Sequence, residues 1–201
     1  MKIDFEDSPV GAAPAGFSTA VTNGGEAGRW VVEADASAPS GTRVLVQRSS
    51  DPTKGRFPLC IRDGLSARDV AIAVRFKPIT GEVDQAAGIV LRHRDADNYY
   101  IVRANALEGN VVLYKVESGK RSDLKPVGAG MLGYGKQVDV PSGRWSTLGI
   151  EARGTRFSVS LDGTHLFDVE DATFPSAGRV GLWTKADSVT AFDELAIEVL
   201  D

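Results

Sequence analysis

The chain has 201 residues, 42% hydrophobic and 25% charged, which are the proportions of an ordinary globular protein and exclude a disordered one. A formal net charge of −4 with scattered basic residues gives no general attraction to phosphate backbones, so nucleic acid is not an expected partner. The 22 glycines and 9 prolines imply many turns, and no apolar run approaches the ~18 residues of a membrane span.

The apolar residues follow the period of β-strands almost everywhere along the chain, and no segment predicts an amphipathic helix of ten residues or more. The glycine-rich segment 118–143 predicts a loop over one edge or face of a sheet, and Asp162-Gly163 predicts a two-residue hairpin turn. The pattern therefore predicts one all-β domain over residues 1–201, an antiparallel β-sandwich of jelly-roll type. Besides a first strand at 3–6, the predicted strands are 29–34, 42–47, 69–76, 87–92, 99–105, 110–116, 146–152, 156–161, 165–169, 179–184 and 193–199.

The single cysteine, Cys60, excludes an intrachain disulfide and a cysteine zinc cluster, and its apolar neighbours predict a buried thiol. No signal peptide precedes the first predicted strand. Either the protein is cytoplasmic, or an export signal has been removed from a periplasmic or extracellular protein.

Two strands carry side chains that a strand merely covering a core would not need. Tyr99, Arg103 and Asn105 share one face of the strand 99–105, whereas the alternate residues of that strand are typical of a core. By the same alternation Trp183 and Lys185 share a face, and Gly181 leaves room beside the indole. The predicted ligand-binding residues, including less certain neighbours on adjacent strands, are Arg92, Tyr99, Arg103, Asn105, Lys115, Trp183 and Lys185.

This combination of side chains suits a saccharide or another polyhydroxylated ligand. Aromatic rings pack against the C–H face of a sugar, and arginine, asparagine and lysine hydrogen-bond its hydroxyl or acidic groups. The alternative is that the basic residues form cross-strand salt bridges with carboxylates such as Glu108 and Asp187, and that Trp183 is simply buried.

No catalytic motif is recognisable. His93 and His165 are the only histidines, neither lies in a nucleophile context, and the Glu-x-Asp-x-x-Glu strand of laminarinase-type glycosidases is absent. The Gly128–Gly133 stretch fits a dinucleotide-binding pattern but neither follows a clear strand nor opens a helix, so no organic cofactor is expected. Catalytic residues therefore remain unassigned.

Four stretches of the C-terminal half carry a family resemblance: 145–154 (WSTLGIEARG), 161–163 (LDG), 178–184 (GRVGLWT) and 192–195 (FDEL). Together they resemble the concanavalin A-like jelly roll of laminin-G-like domains and bacterial 3-keto-disaccharide hydrolase-type domains. The resemblance implies a concave sheet as the ligand face, a location outside the cytoplasm, and often a calcium ion on the opposite side that ties the terminal strands together.

Three acidic residues are candidates for that calcium ion. Asp4 and Glu6 are two residues apart in the first predicted strand, and Asp193 opens the last one. The sequence thus predicts a carbohydrate-binding jelly roll. A hydrolase or lyase using the same face, and a module that docks another protein, are the alternatives.

Overall fold

The computed structural model describes residues 1–131 and 133–200, and the strands in this part of the chain form two antiparallel sheets without any helix. In chain order the strands are β1 (Lys2–Ile3), β2 (Phe17–Thr22), β3 (Trp30–Ala34), β4 (Arg43–Gln47), β5 (Phe57–Arg62), β6 (Val70–Thr80), β7 (Ala86–Asp95), β8 (Asn98–Asn105), β9 (Asn110–Glu117), β10 (Lys120–Asp123), β11 (Lys136–Gln137), β12 (Ser146–Arg153), β13 (Arg156–Leu161), β14 (Thr164–Glu170), β15 (Arg179–Trp183) and β16 (Val189–Val199).

The strand order confirms the predicted β-sandwich. Sheet A runs β14-β13-β12-β6-β16-β4-β3, with β1 also paired to β16. Sheet B runs β10-β9-β8-β7-β15-β5-β2, with β11 also paired to β9. Sequence neighbours such as β7 and β8 pair directly, whereas the last strand, β16, lies in the middle of sheet A between β6 and β4. The two ends of the chain thereby meet, since β1 pairs with β16.

The main core lies between the sheets and is built from alternate residues of each strand. Ile72 and Val74 point inward from sheet A, and Val102 and Leu182 from sheet B. Cys60 belongs to this core and is fully buried, as predicted. Burial also raises the pKa of its thiol.

The strand bounds differ from the predictions at identifiable places. The Asp162-Gly163 turn joins β13 and β14 with both residues at positive φ, as the hairpin pattern predicts. The segment 118–143 contains β10 and β11 as well as loop. The first strand ends at Ile3, because the backbone turns at Phe5 (φ 63°) and buries its ring.

Candidate functional site

The outer face of sheet B is concave and holds a second hydrophobic cluster, the concave-face cluster. Thr22 of β2 bonds the hydroxyl of Tyr99 on β8 at 2.7 Å, although four strand spacings separate these strands in the sheet order. A flat sheet would place them about 19 Å apart, so the sheet curls around this face. The cluster consists of Phe57, Leu59, Ile61, Ala86, Val90, Tyr99, Ile101, Val112, Tyr114, Val116 and Trp183.

Two predicted ligand-binding residues lie inside that cluster. Trp183 is 0% exposed and packs against Phe57 with ring centroids 5.1 Å apart, and Tyr99 is equally buried. The space expected beside the indole does not exist, because a side chain at Gly181 would meet the carbonyl oxygen of Cys60 at 2.4 Å. Sheet curvature thus turns the predicted aromatic surface into a packed interior.

Arg92 and Lys115 point away from this face. The register of β7 breaks after Leu91, and Arg92 adopts φ 49°, so its guanidinium donates to the carbonyl oxygens of Arg68, Phe174 and Gly154. Lys115 donates to Thr173 Oγ1 at 2.7 Å. Both side chains hold loops between the sheets, and neither lies with the other predicted residues.

The structure does bring Arg103, Asn105 and Lys185 together, and it adds two carboxylates. Arg103 forms a bidentate ion pair with Glu108 at 2.8 and 3.0 Å. Lys185 Nζ lies 2.8 Å from Asp84 Oδ2, and Asn105 Nδ2 donates to Asp84 Oδ1 at 2.7 Å and to Glu108 Oε1 at 3.1 Å. These five residues form one hydrogen-bonded group, the polar cluster, at one end of the concave face.

The ion pair is held in its charged form. Burial, the largest single effect, would lower the pKa of Arg103, but the hydrogen bonds to Glu108 together with the electrostatic effects of Glu108 and neighbouring groups outweigh it and raise that pKa. Burial likewise opposes ionisation of Glu108, whose pKa is nevertheless lowered by the hydrogen bonds from Arg103. The polar cluster therefore presents fixed charges of both signs near neutral pH.

The loop before β7 is anchored by a carboxylate from the neighbouring loop. Asp187 accepts the backbone N–H groups of Glu82 at 2.6 Å, Val83 at 3.0 Å and Asp84 at 2.9 Å. Burial acts to raise the pKa of Asp187, but these backbone hydrogen bonds outweigh it and lower that pKa. This contact fixes Asp84 beside Lys185.

The polar cluster opens to solvent on one side. The side chain of Glu108 is 37% exposed and that of Lys185 18%, whereas Arg103 behind them is fully buried. Tyr134, 42% exposed, shares a 2.6 Å hydrogen bond with the hydroxyl of Tyr114, whose ring centroid lies 5.5 Å from the Arg103 guanidinium. A ligand at this opening would meet preorganised donors and acceptors beside one accessible aromatic ring.

Sequence reasoning missed Asp84, Arg121 and Tyr134. Arg121 lies on β10, a strand without a single apolar residue, so alternation gave no sign of it. Its guanidinium carbon lies 4.4 Å from the Tyr114 ring centroid and 5.1 Å from that of Phe57. The position of Glu108 was recognisable from the sequence, because it lies in the short turn after Asn105 that joins β8 to β9.

A second depression, of about 850 Å³, lies on the outer face of sheet A. Small side chains form its floor, where Ala196, Ala73, Gly149 and Ser160 pair in one row across four strands. No Trp, Tyr or Phe is among the residues that line it, and the His165 ring at its edge lies 3.2 Å from Asp168. Because a sugar there would lack a Trp, Tyr or Phe ring to stack on, and the neighbouring ion pairs are mostly exposed, the polar cluster is the stronger candidate.

The three predicted calcium ligands do not share a strand face. Asp4 and Glu6 lie in the turn after β1, where Glu6 Oε1 accepts the N–H groups of Thr42 and Arg43 at 2.7 and 2.6 Å. Asp193 is fully buried in β16, accepts the N–H of Ser40 at 2.8 Å, and has its pKa raised to about 6, chiefly by burial. Within residues 1–131 and 133–200, no group of three or more His, Cys, Asp or Glu side chains could by itself hold a metal ion.

Comparison with known proteins identifies the fold. No protein-family model and no curated protein sequence matches the chain. A structure titled carbohydrate binding module CBM66 from Bacillus subtilis matches with a TM-score of 0.69 and 22% identity over 91% of this chain and 95% of that one. The cellulose induced protein Cip1 matches with a TM-score of 0.70 and 14% identity, covering 100% of this chain and 97% of that one.

The chain has the jelly-roll β-sandwich fold of these structures. A third similar structure is domain 4 of AbnA, an extracellular arabinanase from Geobacillus stearothermophilus, in complex with arabinotriose. It matches with a TM-score of 0.57 and 15% identity, over 98% of this chain and 89% of that domain. Among the described residues no helix has the length and apolar character needed to cross a membrane.

Proposed function

We propose that this jelly roll is a carbohydrate-binding module whose ligand sits at the opening of the polar cluster. The observation that carries the proposal is the pairing of exposed Glu108 and partly buried Lys185 with buried partners. Hydroxyl groups of a sugar both donate and accept, so they suit a rim where a carboxylate and an ammonium lie side by side. Exposed Tyr134 supplies a ring for the C–H face of the sugar.

Two further lines support this proposal. The similar structures include a carbohydrate binding module and an arabinanase domain with bound arabinotriose. The polar cluster is also preorganised, because its buried members are already fixed by one another, and a fixed site loses little conformational entropy on binding. A location outside the cytoplasm is part of the proposal, consistent with the extracellular arabinanase among the similar folds.

A glycan array followed by calorimetric titration of the bound glycans tests the proposal. Glu108→Gln and Lys185→Met each remove one charged hydrogen-bonding group, and we expect each to weaken binding by about 1 to 3 kcal/mol, roughly ten-fold to a hundred-fold. Ala73→Phe is the matched control, because it fills the depression on sheet A and leaves the polar cluster untouched. Melting curves verify that each variant is folded.

The other outcomes decide between the alternatives. Loss of binding in Ala73→Phe alone would move the site to sheet A. Release of new products from a bound glycan would identify a hydrolase or lyase. Binding of no glycan by the parent protein would reject the carbohydrate proposal and favour a module that docks another protein.

We also propose that calcium binds between the N-terminal turn and β16, with Asp193 and Glu6 as ligands and Asp4 nearby. The supporting observation is a buried carboxylate without a cationic partner: the oxygens of Asp193 accept only the N–H groups of Ser40 and Glu194 among the described residues. A divalent cation would remove the cost of burying that charge. Backbone carbonyls and water would complete the ligand set.

A further inference from the structure

Arg121 is a basic side chain over the concave face that has neither an ion pair nor a hydrogen bond among residues 1–131 and 133–200. It pairs in register with Val116, so its side chain points to the same concave side as that residue. Its guanidinium then extends over the rings of Tyr114 and Phe57. Because β10 and β5 are five strand spacings apart in sheet B, Arg121 reaches across the mouth of the curled sheet.

The other basic groups on this face have partners, and Arg179 of β15 is the weakest case, with its Nη2 3.5 Å from His93 Nδ1 and no carboxylate. Arg103 pairs with Glu108, Lys185 pairs with Asp84, and buried Arg56 lies 3.7 Å from Asp51 and donates to carbonyl oxygens. Arg121 makes neither an ion pair nor a hydrogen bond within the described residues, and its Nη1 is shielded from solvent without an acceptor. A guanidinium carries five donors, and Arg121 as a residue is only half-buried, so its donors that are not shielded can still take an added acceptor.

We infer that the saccharide recognised by this module is acidic, and that Arg121 binds its anionic group. The inference rests on the proposed function. Arg121 and Tyr134 both contact Tyr114, with the two tyrosine centroids 6.2 Å apart, so a ring stacked on Tyr134 lies next to the guanidinium. A carboxylate matches the two parallel N–H groups of the guanidinium fork, and a sulfate ester offers the same acceptor geometry. The net charge of −4 argues against a general affinity for anions, so recognition would be local.

The test compares Arg121→Met and Arg121→Lys with the parent protein on an array of uronate-containing, sulfated and neutral oligosaccharides. We expect the parent to bind acidic glycans, with affinity that falls as salt is added. Arg121→Met should lose about ten-fold or more in affinity, and Arg121→Lys should lose less than Arg121→Met, since lysine keeps the charge but lacks the fork. The uronate and sulfate arms thereby identify the anionic group.

Arg156→Met is the matched control, because Arg156 pairs with Asp168 on the outer face of sheet A. It should leave binding unchanged. A parent protein that binds only neutral glycans, or an Arg121→Met variant that binds acidic glycans as tightly as the parent, would overturn the inference while the carbohydrate-binding proposal stands. Binding of no glycan at all would reject both.

Discussion

The curvature of sheet B places Trp183 in a packed interior rather than on a ligand-binding face. Its indole is fully buried against Phe57, so truncation creates a cavity rather than removing a stacking platform. We expect Trp183→Ala to lower the free energy of unfolding by about 3 to 5 kcal/mol, measured by urea denaturation.

Trp145→Ala provides the comparison. Trp145 is only partly buried on the side of sheet A, where its Nε1 donates to Ser37 Oγ at 3.2 Å. Truncation of Trp145 removes less buried surface, so Trp145→Ala should lower the free energy of unfolding by less than half as much as Trp183→Ala. Equal losses for the two variants would contradict the description of the concave-face cluster as a packed core.

Among the elements, the loops that precede β7 and β16 depend on one carboxylate. Asp187 has a lowered pKa in the folded protein, so its contribution to stability is present at neutral pH and is lost as pH falls below the ordinary aspartate value of 3.8. We expect Asp187→Asn to lower the free energy of unfolding at pH 7 by about 1 to 3 kcal/mol, because three backbone N–H groups lose a charged acceptor. Urea titrations from pH 7 down to pH 3 should also show a shallower acid dependence in the variant.

Asp162→Asn serves as the control for this substitution. Asp162 sits at positive φ in the exposed β13–β14 turn and accepts the single N–H of Thr147 at 2.6 Å, which the Oδ1 of asparagine also accepts. Its stability should stay within about 0.5 kcal/mol of the parent. An Asp187→Asn variant as stable as this control at pH 7 would show that the contact is not stabilising.

Burial on both faces accounts for β5, one of the strands that alternation missed. β13 alternates between buried and half-exposed residues and was predicted at its observed bounds. Five consecutive residues of β5, including a proline, are buried. Cys60 faces the main core, while Leu59 and Ile61 face the concave-face cluster. A strand buried on both faces shows no period of two, so nothing in its sequence marked it.

In the candidate site, too, the sequence predicted side-chain directions only where a strand is regular. Alternation correctly placed Arg103 on one face with Tyr99, since this requires only the local period of β8. It failed at Arg92, where a positive φ and a register break reverse the side-chain direction. Curvature of sheet B, which buries Tyr99 and leaves Glu108 at the opening, arises from contacts between distant strands and has no local signal.

At the scale of the whole molecule, the two chain ends are joined on β16. The terminal amine of Met1 donates to the carbonyl oxygen of Ile197 at 2.6 Å, β1 pairs with β16, and the N-terminal turn brings Glu6 and Asp4 to the region of Asp193. Closure of the chain therefore places acidic groups together at a point where burial disfavours charge. A bound cation there would strengthen the same closure.

Calcium should stabilise the protein in a pH-dependent way. Asp193 titrates near pH 6 when folded and near 3.8 when unfolded, so without calcium the native state binds the extra proton between these values and stability falls as pH rises from about 4 to about 6. Calcium competes with that proton. The rise in melting temperature on adding calcium should therefore be small at pH 5 and full above pH 6, reaching about 5 to 10 °C when calcium is at roughly a hundred times its dissociation constant.

Asp193→Asn should abolish this calcium response and, in chelator at neutral pH, melt no lower than the parent, because it removes a buried charge without a cationic partner. Asp7→Asn, at an exposed acidic residue of the same turn, should keep the response. Identical melting curves of the parent protein in chelator and in millimolar calcium at pH 7.5 would eliminate the calcium site. A calcium response that survives in Asp193→Asn would place the ion elsewhere.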